Sequence, residues 1–334
     1  MNQFAKSVLI TALFPLILTA CNKKDEVAAP AAEAPAATAA ATGAEDASCA
    51  TVKFADIGWT DITATTALSS TVLQGLGYKA ESTIASVPIA FAGLKKGQID
   101  TFLGYWSPSM TPIVEPFTKE KAITVLDKPN LVGAKYTLAV PKYAYDAGLK
   151  SFADIGKFTK ELNGKIYGIE PGNDGNKLIA DMISKDAFGL KSFKMVESSE
   201  AGMLTEVSRS VKAKKWIVFL GWAPHPMNVQ QDIVYLSGGD DFFGPNYGEA
   251  KVYTVTSNEL AKRCPNVNKL VTNLEFNVGM ENEVMLPIMD KTNPNEAAKA
   301  WLAKNPATLD AWLAGVNTVD GKPGLEAVKK YLGV

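Results

Sequence analysis

From Cys49 onward the hydrophobic positions switch back and forth between two periods. Short runs rich in Val, Ile and Phe predict strands at 51–56, 79–84 and 99–103, and stretches of helical period predict helices at 62–75 and 87–97 between them. The rhythm returns after Tyr136, with strands at 136–140, 166–169, 193–197 and 216–220 and helices at 174–186 and 200–213. Such alternation predicts helices layered on a largely parallel sheet, an α/β fold. The chain then turns helical, at 266–273, 281–289, 294–304, 307–314 and 324–332. Between these regions lies 237–248, dense in Gly, Asp, Asn and Pro, which reads as the crossing back from the second half to the first and as a candidate hinge.

Both α/β halves end on one phrase. Phe102-Leu103-Gly104-Tyr105-Trp106 closes the first and Phe219-Leu220-Gly221-Trp222 the second, with Tyr105 as one extra residue. The echo places Trp106 and Trp222 at equivalent strand ends, and open α/β sheets bind ligands beyond the carboxyl ends of their strands. A third copy of the device, Ile57-Gly58-Trp59, follows the first strand. Tryptophans delivered three times past a glycine suggest ring faces presented to a crevice. The physical guest for convergent rings is a quaternary ammonium ion, whose diffuse charge gains roughly 0.5 to 2 kcal/mol per contact. Trp301 and Trp312, at core spacing in the late helices, read instead as packing residues.

Composition divides the chain further. Residues 1–20 combine Lys6, an apolar run from Val8 to Ala20 and the ending Leu18-Thr19-Ala20-Cys21, which reads as a signal peptide before a lipobox cysteine, with Cys21 the acylated residue. Residues 21–48 are chiefly Ala, Pro, Glu and Thr and predict a disordered tether. The remainder exceeds one comfortable core, so two lobes are expected. With Cys21 assigned to lipid, Cys49 and Cys264 are left as an even pair in an exported chain, most simply a disulfide.

Charge and motifs narrow the chemistry. Lys+Arg 34 against Asp+Glu 35 gives a net charge of -1 with no basic run, which argues against nucleic acid as a partner. The single histidine, His225, stands between Pro224 and Pro226 with no second metal ligand or nucleophile nearby in sequence, and neither GxSxG, CxxC nor HExxH occurs. No metal site, no cofactor and no enzyme activity is expected. Asp61, two residues past Trp59, reads either as the N-cap of a helix starting near Ile62 or as a carboxylate beside an aromatic cage. Residues 171–176, around Asn173, read as a strand-to-helix turn with exposed amides, or as a plain Asx turn and cap.

Several longer phrases now carry a resemblance: Gly58-Trp59-Thr60-Asp61-Ile62-Thr63-Ala64-Thr65, Gly133-Ala134-Lys135-Tyr136-Thr137-Leu138, Ile166 through Asn176, Val196 through Glu200, and Phe219 through Trp222 with Pro224-His225-Pro226-Met227-Asn228. Over essentially its whole folded length the chain resembles the periplasmic substrate-binding proteins of ABC importers for glycine betaine and choline, most closely the choline-binding members. The resemblance implies a two-lobed type II clamshell, each lobe a mixed, largely parallel sheet flanked by helices, with two crossings. Lobe 1 would comprise 49–131 and 246–334, and lobe 2 132–245. It implies an aromatic box of Trp59, Trp106, Tyr136 and Trp222, with Asp61 and Asn173 holding the polar end of choline, and it maps the family's disulfide onto Cys49 and Cys264. The implied partners are choline or a related quaternary ammonium ligand and an ABC permease in the inner membrane, and the implied location is the periplasm. Glycine betaine, carnitine or another trimethylammonium compound is the rival ligand, and a secreted enzyme acting on choline esters is the weaker alternative. Glycine betaine and carnitine end in a carboxylate that an ionised Asp61 would repel, whereas choline ends in a hydroxyl that can donate to it. Tyr105 replaces the Asn usual before the second Trp in choline-binding relatives.

Overall fold

The computed structural model describes residues 45–334; Cys21, the leader and most of the expected tether lie outside the described residues. Nine strands form one mixed sheet: β1 Thr51–Asp56, β2 Lys79–Ile84, β3 Thr101–Ser107, β4 Ile123–Pro141, β5 Lys165–Tyr167, β6 Lys194–Val196, β7 Phe219–Ala223, β8 Ile233–Tyr235 and β9 Glu249–Ser257. Their order is β2-β1-β3-β9-β4-β7-β5-β6, with β8 alongside β4. Strand β1 runs parallel to β2 and β3, and β5 parallel to β6 and β7. Each parallel trio is closed by one antiparallel strand, β9 against β3 and β4 against β7. The two halves therefore repeat one βαβαβ plan, with helices Thr60–Gly75 and Val87–Lys95 in the first and Asp174–Ser184 and Glu200–Lys212 in the second. The repeated phrase falls on β3 and β7, topologically equivalent strands.

The strands predicted to stop at 103 and 220 run further, so the tryptophans of that phrase lie within them. Strand β3 runs through Trp106 and β7 through Trp222. The glycines serve close packing instead. A Cβ on Gly104 would lie 2.3 Å from Ile62 Cδ1, and one on Gly221 would lie 2.8 Å from the Ala139 Cβ. Only Gly58 makes a turn, at φ +86°, which L side chains rarely adopt.

Strands β8 and β9 and the first part of β4 escaped the periodicity. Strand β4 starts at Ile123 rather than 136, because Asp127, Lys128, Pro129 and Gly133 interrupt its pattern and its pairing with β9 shifts register through that stretch. The turn-rich segment 237–248 contains one short helical turn, Asp240–Phe243, then a turn over Pro245–Gly248 in which Asn246 and Tyr247 are left-handed, and leads directly into β9, paired on both edges.

The helix Thr60–Gly75 packs against Val278–Met289, Pro294–Lys304 and Gly324–Leu332 and is buried over most of its length although it is rich in Thr and Ser. Hydroxyls turn inward to the preceding helical turn: Thr65 donates to the Asp61 carbonyl (3.1 Å), Ser69 to Thr65 (2.8 Å) and Thr71 to Ala67 (2.8 Å). Trp312 is fully buried edge-on to Phe276, as expected of a core residue. Trp301 is only half-buried and donates its indole N–H to Glu283 (2.7 Å), so it packs on the surface of the helical layer rather than within it. Cys49 and Cys264 are joined in a disulfide across 215 positions. No described helix is long and apolar enough to cross a membrane.

Candidate functional site

Strand β1 ends at Asp56, whose carboxylate accepts the Gly58 N–H (2.7 Å) and the Thr63 hydroxyl (2.9 Å). This fixes the turn that sets Trp59 in the N-cap position of the helix Thr60–Gly75. Asp61 is therefore not the cap: it lies in the first helical turn and its side chain caps nothing. The first free amide of that helix is taken from the other half of the molecule. Glu200, opening the helix Glu200–Lys212, accepts the Thr60 N–H (2.9 Å) and also the Thr60 hydroxyl. Glu200 is itself held by His225, whose Nδ1 accepts the Met227 N–H (3.0 Å), leaving Nε2 to donate to the carboxylate (3.2 Å).

Trp59, Trp106, Tyr136 and Trp222 lie around one cavity. Tyr136 on β4 and Trp222 on β7 are register partners, their rings 6.4 Å apart at 78°. Trp106 on β3 meets Tyr136 at 6.0 Å. The indole of Trp59 donates its N–H to both oxygens of Glu170, each at 3.0 Å, so the ring is aimed by a carboxylate over a hundred residues away. Tyr136 donates its hydroxyl to Asn173 Oδ1 (2.9 Å), which as N-cap of the helix Asp174–Ser184 also accepts the Asn176 N–H (3.1 Å). Gly175 makes room for this contact, since a Cβ there would lie 2.1 Å from the Tyr136 hydroxyl.

Together these elements line a cavity of about 280 Å³, the open space at its mouth included, whose walls are Trp59, Asp61, Trp106, Tyr136, Ile169, Asn173, Asp174 and Trp222. All six residues singled out from the sequence line it. Ile169 and Asp174 were missed as site residues, although both stand inside the phrase Ile166–Asn176, and Glu170 and Glu200 were missed as its braces.

Three lining atoms are buried without a hydrogen-bond partner among the described residues: Asp61 Oδ1, Asp174 Oδ2 and Trp106 Nε1. Buried polar groups are normally paired, so their isolation marks where a guest would be recognised. The carboxyls feel that isolation. Burial, reinforced by the charges of Glu200 and Asp56, pushes Asp61 up to about 8. Burial raises Asp174 to about 6 against the opposing Ser109 hydroxyl, and Glu170 to about 7 against the Trp59 N–H. Glu281, buried beside Asp61, is held well above the ordinary range by burial and then by the Asp61 charge. Burial likewise holds the Tyr136 phenol well above its usual value. The sequence argument took Asp61 as ionised; in this setting it is mostly protonated at neutral pH.

Comparison with known proteins places this geometry. The OpuAC family, the substrate binding domain of ABC-type glycine betaine transport systems, matches residues 50–304. An ABC-transporter choline binding protein solved in complex with choline is 52% identical, aligns over 86% of this chain and 100% of its own, and superposes with a TM-score of 0.85. The unliganded semi-closed form of an ABC-transporter choline binding protein, at the same 52% identity and coverage (86% and 100%), gives 0.79. The glycine betaine/carnitine transport binding protein GbuC of Listeria monocytogenes is 28% identical over 168 residues, which are 50% of this chain and 54% of that protein. The fold is thus the type II clamshell that the resemblance implied.

Proposed function

Because the chain belongs to the substrate-binding domains of ABC-type glycine betaine transport systems, and so serves transport rather than catalysis, we propose that its ligand is choline, held in the cavity between the aromatic residues and handed to a permease in the inner membrane. The observation that carries this is the meeting of Trp59, Trp106, Tyr136 and Trp222 with an unpartnered Asp61 oxygen in one cavity. Ring faces attract the trimethylammonium group, and Asp61 accepts the choline hydroxyl, in the ionised form as a charge-assisted hydrogen bond. Asn173, its Oδ1 already shared by Tyr136 and Asn176 and one amide N–H given to Asp174, offers its other N–H to the same polar end. The 52% identical neighbour solved with choline supports the choice of ligand.

Clamping follows the division into a lobe of 49–131 plus 246–334 and a lobe of 132–245. One crossing falls within β4, at 131–132, and the other at 245–246, just before β9 pairs alongside β4, and Glu200–Thr60 and Glu170–Trp59 join the lobes beside the cavity. Isothermal titration with choline, acetylcholine, glycine betaine and carnitine tests the reading: choline binds most tightly, and failure of every trimethylammonium compound to bind rejects it.

A second reading, glycine betaine or carnitine, is favoured by one observation. An Asp61 raised to about 8 carries a proton at neutral pH and can donate it in a hydrogen bond to a ligand carboxylate. The same titration ranks the two.

The mature protein begins, in this reading, at a lipidated Cys21, and the Ala/Pro-rich 21–48 tethers the clamshell outside the cytoplasmic membrane. Cys21→Ser then moves the protein from the membrane fraction to the soluble one; a wild-type protein found wholly soluble rejects the anchor.

A further inference from the structure

Two carboxylates, not one, line the cavity, and they occupy equivalent places in the two halves. Asp61 lies in the first turn of the helix after β1, and Asp174 is the first residue of the helix after β5. Both are 2 % exposed, and each keeps one oxygen without a partner. Their surroundings differ. Asp61 has Glu200, Asp56 and Glu281 for neighbours, a cluster of acids. Asp174 sits with the aromatic residues: its charge bears on the Tyr136 phenol, the Ser109 hydroxyl three residues past Trp106 lies against its carboxylate, and its Oδ1 faces the Asn173 amide at 3.3 Å. Nothing hydrogen-bonds Oδ2 among the described residues.

We propose that Asp174 is the charge partner of the ligand's quaternary ammonium group, and that it sets the preference of the aromatic box for a cation over an uncharged molecule of the same shape. Aromatic quadrupoles attract a cation but leave its full charge uncompensated in a water-poor cavity, and a carboxylate at the box supplies that compensation. Asp174 suits the task because it is the more acidic of the pair and largely ionised at neutral pH, whereas Asp61 is largely protonated. At neutral pH the two together hold about one negative charge, matched to a monocation. A trimethylammonium group cannot donate a conventional hydrogen bond, which accords with an oxygen that no protein donor claims.

This rests on the reading of the cavity as a trimethylammonium site, and the test separates the two. Wild type and Asp174→Asn are titrated calorimetrically at pH 7.5 with choline, with tetramethylammonium, which lacks the hydroxyl, and with 3,3-dimethyl-1-butanol, the uncharged carbon isostere of choline. The variant is expected to lose about tenfold or more in affinity for both cations and to hold the neutral isostere within about threefold. Asp61→Asn, in contrast, weakens choline more than tetramethylammonium. Equal losses for charged and uncharged ligands, or none, overturn the assignment and leave Asp174 as a residue of the helix start only. Should Asp174→Asn not fold, Asp174→Ser, which can still accept a hydrogen bond at the helix start, is put through the same comparison. A wild-type protein that binds none of the three ligands rejects the trimethylammonium reading itself rather than the role of Asp174 within it.

Discussion

Selectivity between a choline-like and a betaine-like ligand should depend on pH, and Asp61 should be the reason. Moving its carboxyl from an ordinary 3.8 to about 8 corresponds to about 6 kcal/mol in favour of the protonated form. Neither choline nor betaine titrates near neutrality, so any change between pH 7 and pH 9 belongs to the protein. A betaine carboxylate is accepted by the protonated acid and repelled by the ionised one. The protonated fraction falls from about nine-tenths at pH 7 to about one-tenth at pH 9, so betaine affinity should drop about tenfold across that window. Choline moves the other way, because its hydroxyl bonds more strongly to a carboxylate than to a neutral acid, by roughly 1 kcal/mol. The choline-to-betaine ratio should therefore climb by more than tenfold. Asp174, at about 6, is about nine-tenths ionised by pH 7; Glu170, at about 7, finishes its titration inside the window but does not line the cavity. Two-ligand calorimetry at four pH values, on wild type and on Asp61→Asn, is the assay. The variant should give a flat ratio, near the wild-type value at pH 6 and well below it at pH 9. A flat ratio in wild type, or an equal slope in the variant, refutes the reasoning.

Asp61 also bears on stability. A carboxyl raised on folding contributes its full stability below pH 4 and loses it as pH rises through 8, so Asp61→Asn should stabilise the ligand-free protein at pH 7 by up to about 4 kcal/mol and hardly at all at pH 4, read from urea midpoints. Alanine at Trp59, Trp106 or Trp222 should each weaken choline binding by about 1 to 3 kcal/mol with little change in melting temperature, and Trp312→Ala should lower stability by about 3 to 5 kcal/mol with binding retained in the folded fraction; the reverse pattern would undo this division of the aromatics. Reduction of Cys49–Cys264 frees a span of 215 positions, worth about 5 kcal/mol in the chain-entropy view, and should show as a fall in melting temperature that alkylation makes permanent.

The alternation of strand and helix was legible because both βαβαβ units keep clean periods, and the doubled Phe-Leu-Gly phrase marked β3 and β7 as equivalents. The long β4 was not, since Asp127 through Gly133 break its pattern exactly where its pairing changes register. Strand β9 was overlooked beside a run of turn residues, although Ala250, Val252, Thr254 and Thr256 alternate inward. In the site, the aromatic residues announced themselves by type. Asp61 could be picked out by position, but its acidity could not, because Glu200 and Glu281 reach it from 139 and 220 positions further along the chain. Asp174 was hidden by its context: Asn-Asp-Gly-Asn spells a turn, and only the fold brings Asp174 beside Asn173 in the lining of the cavity.

The link from Cys49 to Cys264 has a mechanical consequence. A pull on the chain from its N-terminal side enters the folded residues just ahead of Cys49, where Glu45 also grips the amides of Asn266 and Val267. At Cys49 the load passes through a covalent bond into the junction between the helices Leu260–Arg263 and Pro265–Asn273. Strand β1 starts two residues later and bears none of it. The strand that carries the Asp56 turn and positions Trp59 is thereby isolated from tension, and cannot be unzipped from its leading end while the bridge is intact.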